Sequence, residues 1–203
     1  MTIKNFSMRW ATRSVRPAIG AGLVLAALGG SACGSDTVRE GQASSYLIID
    51  RLVMEGGNEG APFQSDVVGD EGIFEDGAAV VLSAAMRDVT NPNGPTTNNL
   101  ITINRYRVTF RRSDGRRTEG VDVPYAFDGA VTATVGPGDI VTVPFVIVRI
   151  QAKLEAPLAA LRFHGGALAI STIADVTFFG RDQAGREVTV TGSTSVNFAD
   201  WAG

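Results

Sequence analysis

The sequence predicts an all-β protein: a single antiparallel β-sandwich of seven or eight strands with one short helical turn. Three observations lead there. Apolar residues recur mostly at period two, the spacing of side chains that alternate across a strand. The runs are short and rich in Val, Ile, Thr and Phe, the residues that fit a pleated, half-buried surface. Clusters of Gly, Asp, Asn and Pro separate them, and no stretch shows a long helical pattern.

Taken in order, the expected strands are SSYLIIDRLV (44–53), AAVVLSAAMRDV (78–89), NLITINRYRVTFRR (99–112), RRTEGVDV (116–123), AVTATV (130–135), DIVTVPFVIVRI (139–150), ISTIADVTFFG (170–180) and REVTVTGSTSVNF (186–198). Ser113-Asp114-Gly115 and Gly136-Pro137-Gly138-Asp139 supply the positive or fixed φ of tight hairpin turns, and RDQAGRE (181–187) joins the last two strands in the same way. PLAALR (157–162) opens on proline and is the expected helical turn. Short strands joined by hairpins give a sandwich; a small closed β-barrel of eight strands is the alternative. A membrane-spanning barrel is disfavoured, because such chains commonly end on an aromatic residue and this one ends Trp201-Ala202-Gly203. The final hairpin, 174–198, resembles the closing hairpin of immunoglobulin-like and fibronectin-type modules of bacterial surface proteins. That resemblance implies an immunoglobulin-like sandwich.

Ahead of the strands the chain has another character. Residues 1–17 carry Lys4, Arg9, Arg13 and Arg16 and no acid, 18–28 are wholly apolar or glycine, and Gly29, Gly30, Ser31 and Ala32 follow. A positive head, a short apolar middle and a small-residue exit are the parts of a secretory signal peptide, and the apolar run is shorter than the roughly 20 residues a membrane span needs. The exit leads straight to Cys33, the only cysteine. Gly30-Ser31-Ala32-Cys33 resembles the lipobox of bacterial lipoproteins, with glycine where that family usually has leucine. The resemblance implies that Cys33 is acylated and becomes the first mature residue. Because Gly34 is not the aspartate that favours inner-membrane retention in that family, it also implies an outer-membrane anchor. Ordinary cleavage after Ala32, releasing a soluble periplasmic or secreted protein, is the alternative. The expected organisation is a signal peptide at 1–32, a lipidated cysteine and flexible tether at 33–43 and a sandwich at 44–203.

The mature chain has 171 residues, enough for one domain with a core. Setting aside the four signal cations leaves 14 Lys and Arg against 21 Asp and Glu, a charge of −7. That balance argues against nucleic acid as a partner. Without a second cysteine there is no internal disulfide, so packing must hold the fold. Lys153 is the only mature lysine.

Catalytic motifs are missing. His164 is the only histidine, so histidine–cysteine zinc sites are excluded, and no G-x-S-x-G elbow accompanies it. No P-loop, H-E-x-x-H or G-x-G-x-x-G opening a helix occurs. No cofactor is expected. Seven acids and no cation lie between Arg51 and Arg87: Glu55, Glu59, Asp66, Asp70, Glu71, Glu75 and Asp76. Within GDEGIFEDG (69–77), Asp70, Glu71, Glu75 and Asp76 have the oxygens for calcium but not the spacing of a known calcium loop, and a solvated acidic loop is the plainer reading.

A basic feature stands out more. Alternation puts Arg105, Arg107 and Arg111 on one strand face and Tyr106, Val108 and Phe110 on the other, while Arg112, Arg116 and Arg117 flank the following turn. Six guanidiniums on one hairpin would repel one another and could fork onto phosphate or carboxylate. An anionic glycan or glycolipid is the implied ligand; a charged edge that resists pairing is the plainer alternative. The long loop 88–99 is a second candidate recognition element. The function expected is that of an envelope lipoprotein whose sandwich is structural or binds a ligand or an envelope protein, with the membrane reached through the lipid anchor. A carboxylate-based hydrolase or carbohydrate-active domain is the alternative.

Overall fold

The structure, a computed structural model, describes residues 42–54, 62–164 and 168–201. The expected signal peptide, Cys33, the expected tether up to Gly41, and Glu55 and Glu59 lie outside the described residues. The described residues hold eight strands: β1 (Ser45–Met54), β2 (Phe63–Asp66), β3 (Asp76–Met86), β4 (Ile101–Arg112), β5 (Phe127–Val135), β6 (Ile140–Val148), β7 (Ala169–Asp182) and β8 (Glu187–Ala199). One short helix, α1 (Ile150–Leu154), and 3-10 turns at Thr97–Asn99 and Leu158–Leu161 complete the described elements. The strands form two sheets, β1-β3-β6 and β2-β8-β7-β4-β5.

The period-two pattern is realised where it was cleanest. In β7 Ile170, Thr172, Ala174, Val176 and Phe178 are buried, while the residues between them are exposed or half-buried. In β4 Tyr106, Val108 and Phe110 face inward and Arg105 and Arg107 outward. The inward rows meet in an aromatic cluster: the ring of Phe145 from β6 lies 5.2 Å from that of Tyr106 and 5.4 Å from that of Phe178, both edge-on. Edge-to-face rings contribute about 0.5–1.5 kcal/mol beyond area burial. The Tyr106 hydroxyl accepts a hydrogen bond from the Val146 amide at 3.2 Å, so one buried side chain ties β4 to the opposite sheet. Gly129 makes room for it, since a Cβ there would fall 2.2 Å from the Tyr106 ring.

Four sequence expectations need correction. The sheets are not wholly antiparallel: β2 runs parallel to the end of β8, pairing Phe63–Asp66 with Val196–Ala199. Residues 116–123 form no strand; Thr118 and Gly120 anchor a compact turn, with Gly120 at φ +73°. Hence β4 pairs with β5 across a long connection rather than through a tight hairpin at Ser113–Gly115. Gly136–Asp139 carries the chain from β5 in one sheet to β6 in the other, so it is a crossover and not a hairpin. The last hairpin is as expected, with β7 and β8 in register from Ala169↔Ala199 to Arg181↔Glu187. The helical turn expected at 157–162 is the 3-10 turn, and α1 precedes it.

The pairing sorts the connections to two ends. At one end lie the start of β1, the 87–100 loop and the short links 136–139 and 183–186. At the far end lie the links 67–75 and 113–126, residues 149–164 and the exit of β8. Ala152, Leu158 and Leu161 are buried and close the core at the far end.

Candidate functional site

The far-end connection is held by a buried ion pair. Lys153 on α1 is only 2% exposed, and its Nζ donates to Asp76 Oδ1 at 2.8 Å. Ser65 Oγ on β2 donates to Asp76 Oδ2 at 2.6 Å. Burial pushes the Asp76 carboxyl above its ordinary value, against the pull of these hydrogen bonds. Arg162 donates to the backbone oxygen of Lys153. The pair therefore joins β2, β3, α1 and the segment after it. A buried charge must be paired to persist, and Asp76 supplies that partner to Lys153, the one lysine after Lys4.

Both Asp76 oxygens are engaged within the protein, one by Lys153 and one by Ser65. Asp70, Glu71 and Glu75 are exposed on the 67–75 link. Among the described residues, no group of three or more His, Cys, Asp or Glu side chains is placed to hold a metal ion. His164 is exposed at the far end.

The six arginines do not form one bare hairpin. Arg105 and Arg107 reach the two oxygens of Asp128 on β5, at 2.8 and 3.0 Å, and Arg105 also lies 3.9 Å over the Phe179 ring. Arg111 pairs with Asp175 on β7 at 3.2 Å. Arg112 and Arg116 share Asp114 in the turn, and Arg116 reaches Asp122 at 3.5 Å. The Arg116 contact holds the Asp114 carboxyl below the ordinary aspartate range. Arg117, exposed in the same turn, makes no ion pair among the described residues. The expected mutual repulsion is thus relieved by aspartates of the same surface.

The 88–99 loop lies at the end where the chain enters β1. It closes on Asn99, which is buried and donates to Ser44 Oγ at 3.0 Å.

The far end carries a groove that the sequence did not announce. It is open, about 540 Å³ in volume, and lined by Gly120 and Tyr125 from the 113–126 link and by Arg149, Gln151, Glu155 and Ala156 from around α1. The Tyr125 ring lies against Gly120, where a Cβ would meet its hydroxyl at 2.3 Å, so glycine is required there by space as well as by φ. The wall is braced: Gly120 N–H donates to the Val123 oxygen at 2.8 Å, Asp122 N–H to the Thr118 oxygen at 2.8 Å, and Ala126 N–H to Glu119 Oε1 at 3.2 Å. On the other wall, Gln151 donates from Nε2 to Glu155 Oε1, one helical turn along. The Arg149 guanidinium sits 4.8 Å over the Phe127 ring. The groove thus offers a half-exposed aromatic face, a carboxylate, an amide oxygen and a guanidinium. Glu155 is the one carboxylate in its lining, whereas glycoside hydrolysis needs two across the scissile bond.

Large exposed apolar side chains also gather at this end: Phe74, Val121, Tyr125, Leu154, Phe163 and Trp201. Phe163 is 85% exposed at φ +62°, with its amide donating to buried Asp200 at 2.5 Å.

No protein-family model and no curated protein matches the chain. Among solved structures it is similar to Northeast Structural Genomics Consortium target SoR45, an X-ray structure, at 9% identity and a TM-score of 0.36, over 78% of this chain and 88% of that one.

Proposed function

We propose that the protein is an envelope lipoprotein, held at the outer membrane through acylated Cys33, that displays a non-catalytic, immunoglobulin-like β-sandwich for binding. The observation that carries this reading is the separation of the two ends. The chain enters β1 at one end, while the groove and the exposed aromatic side chains lie at the other. The chain that leads into β1 therefore joins the sheets at the end opposite the groove.

Support for a non-catalytic role comes from how the carboxylates are used. Asp76 holds Lys153, Asp128 and Asp175 neutralise arginines, and Asp182 caps its own turn by accepting from the Ala184 and Arg186 amides at 3.0 and 2.9 Å. The aspartate pairing of the arginine face moves the weight of recognition from that face to the far-end groove. Mass spectrometry of the mature N-terminus tests the anchor: acylated Cys33 is the expected result. An unmodified cysteine, or native protein that leaves the envelope without detergent, contradicts it.

A further inference from the structure

The geometry points to the far-end groove as a binding site for an uncharged saccharide. This rests on the reading of the far end as the binding end and adds the ligand class. Four features of the groove carry it.

First, the half-exposed Tyr125 ring supplies an apolar platform with a polar rim, which suits the C–H face of a pyranose. Second, the polar groups around it are the planar kinds that address neighbouring hydroxyls in pairs. With Gln151 Nε2 engaged by Glu155 Oε1, the Gln151 carbonyl oxygen and Glu155 Oε2 remain as acceptors, and the Arg149 Nη groups are donors. A sugar hydroxyl donates once and accepts as well, so it can use both kinds.

Third, the lining carries one positive and one negative group, Arg149 and Glu155, so it neither attracts nor repels net charge. An anion would also have to approach an acidic domain; a neutral ring with many hydroxyls meets no such penalty. Fourth, the groove is preformed. The turn hydrogen bonds fix one wall, α1 is pinned by Lys153 on the other, and Gly120 sets the Tyr125 ring in place. Preformed walls reduce the ordering cost of binding. The volume falls within the roughly 300–1,000 Å³ of small-molecule sites.

Calorimetric titration of the full mature chain in detergent, using hexasaccharides of glucose and of N-acetylglucosamine, tests the proposal. A hexasaccharide of uronic acid serves as the charged control. Binding of an uncharged hexasaccharide, with an affinity unchanged by added salt, is expected. Tyr125→Ala and Glu155→Gln should each weaken it by about tenfold or more, Tyr125→Phe should keep most of it, and Gly120→Ala should weaken it by displacing the ring. Circular dichroism checks that each variant keeps its strand content. The proposal is overturned if neither uncharged hexasaccharide binds, if Tyr125→Ala and Glu155→Gln bind like the parent, or if only the uronic acid binds with a steep salt dependence. Cys33→Ser should bind the sugar like the parent, so loss of the anchor and loss of the groove are read separately.

Discussion

The Asp76–Lys153 pair and the Arg107–Asp128 pair use the same attraction at nearly the same distance, 2.8 and 3.0 Å, and differ in what surrounds them. In the first, Lys153 is 2% and Asp76 17% exposed; in the second, Arg107 is 47% and Asp128 40% exposed. Water screens the surface pair, so holding two long side chains together gains little. Water is nearly absent around Lys153, so neither partner can be removed without leaving a charge where it cannot be solvated. One pair fixes α1 and, through it, a wall of the groove. The other quiets a row of arginines. Distance alone does not rank ion pairs; burial does.

That contrast can be broken by substitution. Lys153→Met leaves Asp76 in the interior without its counter-charge and should cost about 3–5 kcal/mol of stability at neutral pH, read by urea unfolding. Adding Asp76→Asn, which keeps an acceptor for Ser65, should restore most of the loss. A smaller effect is expected at the turn of the last hairpin, where Asp182 is 4% exposed and its carboxylate also accepts from Arg186 Nε at 2.7 Å. Asp182→Ala should cost about 1–3 kcal/mol, since it removes three hydrogen bonds that hold the turn. Asp128→Asn removes the charge facing Arg105 and Arg107 and leaves one acceptor oxygen, so it should cost no more than about 1 kcal/mol for each pair, less in high salt. Equal losses at the three sites would refute the ranking by burial.

The two environments also respond to pH with opposite sign. The Asp76 carboxyl is raised by burial, so its contribution to stability is full below its unfolded pKa and is lost as pH rises through its folded value. In Lys153→Met the hydrogen bond and charge that lower it are gone, so this variant should be least stable at neutral pH and recover toward acid. The exposed Asp114 carboxyl is lowered by Arg116, so its small contribution is present above its unfolded pKa and fades as pH falls through its folded value. Carboxyl-carbon NMR titration should place Asp76 above the ordinary aspartate value and Asp114 below it.

Much of this was legible because period two is a local signal. Seven of the expected strands coincide with observed ones, and the split of β4 into an arginine face and an apolar face followed from alternation alone. What failed depended on distant chain. The four residues of β2, Phe63–Asp66, hold a single large apolar side chain and become a strand only by lying beside β8. Gly136–Asp139 has the same turn chemistry whether the strands it joins pair or part. Arg107 and Arg111 find their partners 21 and 64 residues away, at Asp128 and Asp175, so their neutralisation left no mark in the local sequence. The groove escaped for the same reason: Tyr125 and Glu155 belong to separate links that only the fold brings together. The solitary Lys153 was the one available hint. A lone lysine after an apolar run, in a stretch from residue 33 on that otherwise uses arginine, is a candidate for burial with an acid.

Paired double-mutant cycles test the ranking by burial most directly. One cycle combines Lys153→Met with Asp76→Asn, and the other combines Arg107→Gln with Asp128→Asn, each measured by urea unfolding at low and high salt. The buried pair should show a coupling several times that of the surface pair and indifferent to salt. The surface coupling should stay within about 0.2–1 kcal/mol and shrink as salt is added. Comparable couplings, or a buried coupling that fades with salt as the surface one does, would contradict the account.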